Sequence, residues 1–259
     1  MALDFEFSWD RLGLAGVLSV PEGQGAHPAV ILARSLQGDR HEALPGAVAQ
    51  ALAERGLASL RFDSDQAFSQ TTLSGRSAEL GELTTLLFEH MLEPRGAVDI
   101  RRLGVFGHEL GGAAAILRGA EDTRLRAIAA SSPAPSAQAL VGETGAGAWM
   151  RGEPAKLDSA STLDSASKRR RSLDREFLRD WRRLGLRPLC DAAEGLTRPL
   201  FLISGEGDEE GWRMANEKLY FRRPEGARLA LLEGGRHFRG QEQALAARVA
   251  DFFVEALAS

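Results

Sequence analysis

Apolar residues recur along the chain in two alternating rhythms. Near the start, Leu3, Phe5 and Phe7 alternate with Asp4, Glu6 and Ser8, and residues 12–20 continue as a second extended run ending at Pro21. That pattern predicts an antiparallel strand pair. Pro28-Ala29-Val30-Ile31-Leu32-Ala33 is instead a short continuous apolar run, as expected of a strand buried on both faces of a parallel sheet. Helical spacing over 44–55, stopped by Gly56, leads back to an extended Ala58-Ser59-Leu60-Arg61-Phe62-Asp63, completing one βαβ unit. Leu80, Leu83, Leu86, Leu87 and Met91 recur at helical spacing, with Pro94 expected to close that helix, and 103–107 supplies the next strand. Further strands are predicted at 125–130, 200–204 and 229–232, and helices at 212–219 and 241–257. Repeated βα units predict an α/β fold, a mostly parallel twisted sheet covered by helices on both faces.

The rhythm breaks between 136 and 197. Here Leu157-Asp158-Ser159-Ala160-Ser161 is nearly duplicated by Leu163-Asp164-Ser165-Ala166-Ser167, a basic cluster follows at 168–171, and Phe177, Leu178, Trp181 and Leu184 mark an amphipathic helix. The chain is therefore divided into a core, 1–135 with 198–259, and an inserted, partly mobile cap, 136–197. The basic cluster reads as a solvated face, or as a surface for an anionic ligand or an acidic partner.

Composition narrows the class. With 259 residues, 44% of them hydrophobic and 26% charged, the chain has enough apolar content for one large folded core. A net charge of −4 argues against nucleic-acid or membrane phosphates as the main partner. Cys190 is the only cysteine, which excludes an internal disulfide and a multi-cysteine zinc site and suits a reducing compartment. No apolar run approaches the roughly 20 residues of a membrane span, and the first residues lack a basic-then-apolar leader, so a cytoplasmic location is expected.

The most informative segment is Leu103-Gly104-Val105-Phe106-Gly107-His108-Glu109-Leu110-Gly111-Gly112-Ala113-Ala114-Ala115. A strand runs into glycines that bracket one residue, then into an alanine-rich helix, which is the layout of a nucleophile elbow with Glu109 at its tip. His108-Glu109 also begins like the zinc motif His-Glu-x-x-His, but Gly112 stands where the second histidine belongs. His27, His41 and His90 show no metal spacing, and no dinucleotide fingerprint follows the first βα strand. Neither metal nor cofactor is expected.

On these residues the chain resembles the α/β-hydrolase family, in particular its small bacterial carboxylesterase, dienelactone-hydrolase and serine-aminopeptidase-like branch. The resemblance spans nearly the whole chain. It takes in the strand at 28–33, the elbow, the segment Ser204-Gly205-Glu206-Gly207-Asp208, where the family keeps its acid, and Gly234-Gly235-Arg236-His237-Phe238, which looks like its histidine loop. It implies an inserted cap, and catalytic positions Glu109, Asp208 and His237 in the family's chain order. It also implies candidate binding positions Arg34 and Ser35, where the oxyanion loop falls, and His108 and Leu110 beside the elbow.

Three motifs depart from the family. Glu109 replaces the serine, Arg34-Ser35 replaces His-Gly, and Ser64-Asp65-Gln66-Ala67 replaces Arg-Gly-x-Gly. A carboxylate has no hydroxyl, so serine acyl transfer cannot run through position 109. The leading expectation is a non-serine, non-hydrolytic protein that binds a small molecule in the former active-site pocket. The alternatives are a hydrolase or lyase using Glu109 as nucleophile or general base with His237 and Asp208, and an interaction module acting through the basic cap. Relatives with Asp at the elbow do use a carboxylate nucleophile, but Glu is one methylene longer, and a shift of about 1 Å can cost roughly 10²-fold in rate. If Glu109 meets His237 and Arg34, the histidine pKa is expected to rise and the carboxylate pKa to fall.

Overall fold

The computed structural model describes residues 2–10, 13–35, 43–64, 72–136, 139–140, 155–156, 172–173, 179–181, 183, 186–223 and 225–258. Its centre is an eight-stranded sheet. The strands are β1 (Ala2–Trp9), β2 (Leu14–Pro21), β3 (His27–Ala33), β4 (Ala58–Ser64), β5 (Val98–His108), β6 (Leu125–Ser131), β9 (Leu200–Gly205) and β10 (Ala227–Leu232), in the order β1-β2-β4-β3-β5-β6-β9-β10. β1 pairs antiparallel with β2, and β2 with β4; every later pairing is parallel. A separate antiparallel pair, β7 (Ala155–Lys156) and β8 (Ser172–Leu173), lies within the predicted cap. The duplicated Leu-Asp-Ser-Ala-Ser, the 168–171 cluster, Phe177, Leu178 and Leu184 fall outside the described residues.

Alternation along the strands sorts the core into two layers. Ala29, Ile31 and Ala33 join one apolar cluster with α2 (Leu73–Phe88), α3 (Leu110–Glu121), α4 (Leu186–Gly195) and α5 (Glu210–Arg222). Val30 and Leu32, on the opposite face of β3, join the other with α1 (Ala43–Glu54) and α6 (Glu242–Ala256). Both faces of the parallel strands are thereby covered, which is why those strands read as unbroken apolar runs. Trp181 is buried in the first cluster together with Leu189 and Cys190 of α4, and α4 packs on α3 and α5. Among the described residues, no helix is long and apolar enough to cross a membrane.

One helix ends earlier than its apolar spacing predicts. α2 begins at Thr72, whose hydroxyl accepts the Gly75 N–H at 2.9 Å, and stops at Phe88. His90 turns the chain at φ 51, the Met91 N–H bonds to the Leu86 carbonyl and the His90 N–H to the Leu87 carbonyl. This is a Schellman stop made locally by a left-handed residue, so Pro94 has no part in closing the helix and Met91 lies exposed beyond it.

α2 also buries an ion pair. Arg76 Nη1 donates to Glu79 Oε2 at 2.6 Å, both side chains are essentially inaccessible, and the guanidinium lies 6.0 Å from the centre of the Phe62 ring. Removing one partner strands the other charge in an apolar layer, whereas an apolar pair of similar volume does not. Glu79→Ala is expected to lower stability by about 3–5 kcal/mol, with Arg76→Met/Glu79→Leu recovering most of that loss, as read from urea unfolding midpoints.

Candidate active site

The carboxyl ends of the parallel strands converge on one edge of the sheet, where open α/β sheets place their ligands. Gly107 of β5 is level with Ala33 of β3, and His108 with Ser131 of β6. Glu109 sits at the junction of β5 and α3 with φ 49 and ψ −111. A side chain rarely adopts this backbone, at a cost of about 1–3 kcal/mol, and the surrounding structure holds it in place. The Glu109 N–H bonds to the Ser131 carbonyl at 3.1 Å, and the Glu109 carbonyl accepts from Ala113 and Ala134. The bracketing glycines are required by close approach. A Cβ on Gly107 would stand 2.1 Å from the Gly111 carbonyl oxygen, and one on Gly111 would stand 2.4 Å from that of Ala33.

The Glu109 side chain is 9% exposed and faces three basic groups. Its Oε1 is 3.1 Å from Arg236 Nε, 3.4 Å from His237 Nδ1 and 4.0 Å from His108 Nε2. The Arg236 contact is an ion contact rather than an aligned hydrogen bond, since that N–H does not point at the oxygen. Arg236 is held by Glu209, 3.4 and 3.5 Å from Nη1, and by the Trp212 ring, 4.8 Å from its guanidinium carbon. Phe238, fully buried at φ 48, anchors the loop that carries Arg236 and His237. Of the four non-glycine residues with positive φ among those described, Glu109, Ser132 and Phe238 surround this site.

The predicted triad positions come near one another, but their wiring differs from the expectation. Asp208 is buried, accepts the Ser132 hydroxyl on Oδ2 at 2.8 Å, and leaves Oδ1 without a hydrogen-bond partner. His237 turns Nδ1 to Glu109, and no hydrogen bond joins it to Asp208. Arg34, expected beside Glu109, reaches Asp63 at the end of β4 instead, with Nε 3.8 Å from Oδ1. The cation on Glu109 is Arg236, which the sequence reading passed over although it directly precedes His237; Ser132 was missed as well. Ser35 is buried at the end of β3, and Leu110 is buried in the core as the first residue of α3, so that its side chain packs and its backbone amide opens the helix. His108 is buried, with Nδ1 2.9 Å from the Ser131 hydroxyl.

Burial decides the protonation of the cluster. It pushes the Glu109 carboxyl above its ordinary range despite the opposing charges of His237 and Arg236, and it raises Asp208 despite the Ser132 hydrogen bond. Burial also lowers His237, outweighing the attraction of Glu109, with Arg236, His108 and Arg239 acting in the same direction as burial. The same cause takes His108 down to about 4, against the raising effect of its Ser131 hydrogen bond, with Arg236 adding to the lowering. The expected rise at His237 and fall at Glu109 are both reversed, because removal from water outweighs the pairwise attraction. In a His108, Glu109 and His237 group whose ligand atoms all lie within 4.8 Å of one another, the described residues also hold a set able to bind a metal ion.

These shifts give opposite pH dependences. The contribution of neutral His108 is fully present above its ordinary value of 6.5 and is lost as pH falls through about 4. Relative to His108→Asn, the wild type should therefore lose on the order of 3 kcal/mol between pH 6.5 and the acid limit. The contribution of protonated Glu109 is present below its ordinary value and is lost as pH rises through the raised one, so Glu109→Gln should gain on the wild type as pH increases. Melting of the three proteins in chelator-containing buffer from pH 4 to 8 checks both signs.

No family model matches the chain. Two curated relatives, each described as an uncharacterized 31.7 kDa protein in the traX-finO intergenic region of Escherichia coli, are 27% identical over 166 residues, 64% of this chain. The chain spans only 56% of their length. Solved structures are similar over nearly the whole chain. Est1E from Butyrivibrio proteoclasticus superposes with a TM-score of 0.75 at 19% identity, covering 99% of both chains. The α/β hydrolase GrgF from Penicillium sp. sh18 gives 0.75 at 17%, covering 100% of both. A dienelactone hydrolase from Anabaena variabilis gives 0.68 at 18%, covering 99% of this chain and 98% of that one. With its parallel sheet, its strand-elbow-helix junction and these likenesses, the chain has the α/β-hydrolase fold.

Proposed function

We propose that the protein is a non-serine, non-hydrolytic member of this fold that binds a small molecule at the former active-site edge of the sheet. The observation that carries this reading is the engagement of Glu109: its Oε1 faces Arg236 and His237, while Asp208 is occupied by Ser132. A carboxylate oxygen held against the Arg236 guanidinium and flanked by an imidazole is a poor nucleophile. A histidine that turns Nδ1 toward the elbow, with no acid behind it, is not arranged as the base of a relay.

A second reading, Glu109 as general base, draws support from one specific feature. Its pKa is raised by burial, and a carboxylate tuned upward in a desolvated site is the kind that accepts protons near neutral pH. Its reach to a substrate would have to open between Arg236 and His237.

The two readings separate in solution. The wild-type protein is expected to leave short-chain p-nitrophenyl esters unhydrolysed beyond a Glu109→Ala control and to resist labelling by a fluorophosphonate. Turnover lost in Glu109→Ala would overturn the binding reading in favour of the base. Strong wild-type labelling would identify another serine as nucleophile. Glu109→Ser alone should stay at least about 10² short of a competent serine hydrolase, because neither the Asp208–His237 pairing nor the family's oxyanion loop is in place.

A further inference from the structure

His108, Glu109 and His237 reach one point from the end of β5, the elbow and the loop after β10. In sequence the two histidines are far apart, and no linear metal motif contains them both. Glu109 Oε1 lies 3.4 Å from His237 Nδ1 and 4.0 Å from His108 Nε2, and no two of the three ligand atoms are more than 4.8 Å apart. Ligands bonded at about 2.0–2.1 Å in a tetrahedral site stand roughly 3.4 Å from one another. The Glu109–His237 edge already has that length. The 4.0 Å His108–Glu109 edge has to shorten by about 0.6 Å, through rotation of those two buried side chains, while His237, with 47% of its side chain exposed, is free to close its own edge to His108.

Two further features fit a metal rather than a packed trio of side chains. First, His108 Nδ1 meets the Ser131 hydroxyl at 2.9 Å. With that nitrogen donating to the serine, Nε2 is the nitrogen left with its lone pair, and it lies 4.0 Å from Glu109 Oε1, beyond hydrogen-bond reach. Metal-binding histidines commonly engage their second nitrogen in this way, which fixes tautomer and ring orientation. Second, Arg236, the group that competes for Glu109, has Glu209 and the Trp212 ring as further partners. It can therefore stay beside the carboxylate as a neighbouring cation when an ion takes the lone pair of Oε1.

We propose that His108 Nε2, Glu109 Oε1 and His237 Nδ1 bind one divalent transition-metal ion of the zinc type, leaving a coordination position open toward the solvent-exposed side of His237. Two imidazoles and a carboxylate with an open position are a recurrent zinc ligand set, whereas magnesium and calcium favour all-oxygen sites. The site goes beyond the non-serine reading and does not depend on it.

The test uses the full chain stripped of metal by dialysis against a chelator. Titration with zinc followed by calorimetry is expected to give one ion per chain, and cobalt to develop the visible bands of a tetrahedral site. Zinc should raise the melting temperature and magnesium should not. His237→Ala, on an exposed loop, and Glu109→Gln are each expected to weaken zinc binding at least about tenfold, since even supporting residues of such sites cost 10- to 100-fold. His108→Ala should do the same, with circular dichroism checking its fold. Failure to bind zinc at one per chain, or binding that persists unchanged in His237→Ala and Glu109→Gln, would overturn the proposal.

Discussion

A carboxylate held out of water at the junction of β5 and α3 is the constraint on which the site depends. Glu109 occupies a backbone conformation that side chains avoid, and the chain can make that turn only because Gly107 and Gly111 let neighbouring backbone pass where a Cβ would collide. The turn is tied on both sides, to Ser131 through the amide and to Ala134 through the carbonyl. Its side chain therefore has little freedom to withdraw to solvent, and compensation has to come from what surrounds it.

The loop after β10 supplies that compensation. Phe238 is buried beneath it and sets the positions of Arg236 and His237, while Trp212 and Glu209 brace the guanidinium from the side of α5. Attraction from these groups does not fully replace lost hydration. The Glu109 carboxyl is still raised and both neighbouring histidines are lowered, so the cluster favours neutral partners over a chain of full charges. Asp208, a short way off, has been drawn into a different bond with Ser132. Glu109, His237 and Asp208 are thus not joined in one hydrogen-bonded chain.

How much of this was legible depended on the range of the interactions involved. The strands could be read because burial on both sheet faces demands continuous apolar runs, and the elbow because close backbone approach demands glycine at fixed offsets. The end of α2 was misplaced because apolar spacing continued to Met91, whereas a local left-handed turn at His90 stops the helix at Phe88. Arg34 directly follows β3 and Arg236 lies in the loop after β10, and nothing in residue type alone says which reaches Glu109. The pKa directions were inverted because pairwise attraction is visible in a sequence, while the depth of burial that outweighs it is not.

By itself, then, the sequence determined the alternation of strands and helices, the sharp turn at 107–111 and a glutamate rather than a serine at its tip, since each follows from residue chemistry at fixed, short separations. Only the tertiary structure decided that Arg236 rather than Arg34 meets the carboxylate, that Asp208 turns to Ser132, and that His108 and His237 converge on one oxygen. Those outcomes depend on how side chains from β5, the β6 end and the loops after β9 and β10 fill one desolvated corner. That competition is settled by differences of a few ångströms between groups far apart along the chain.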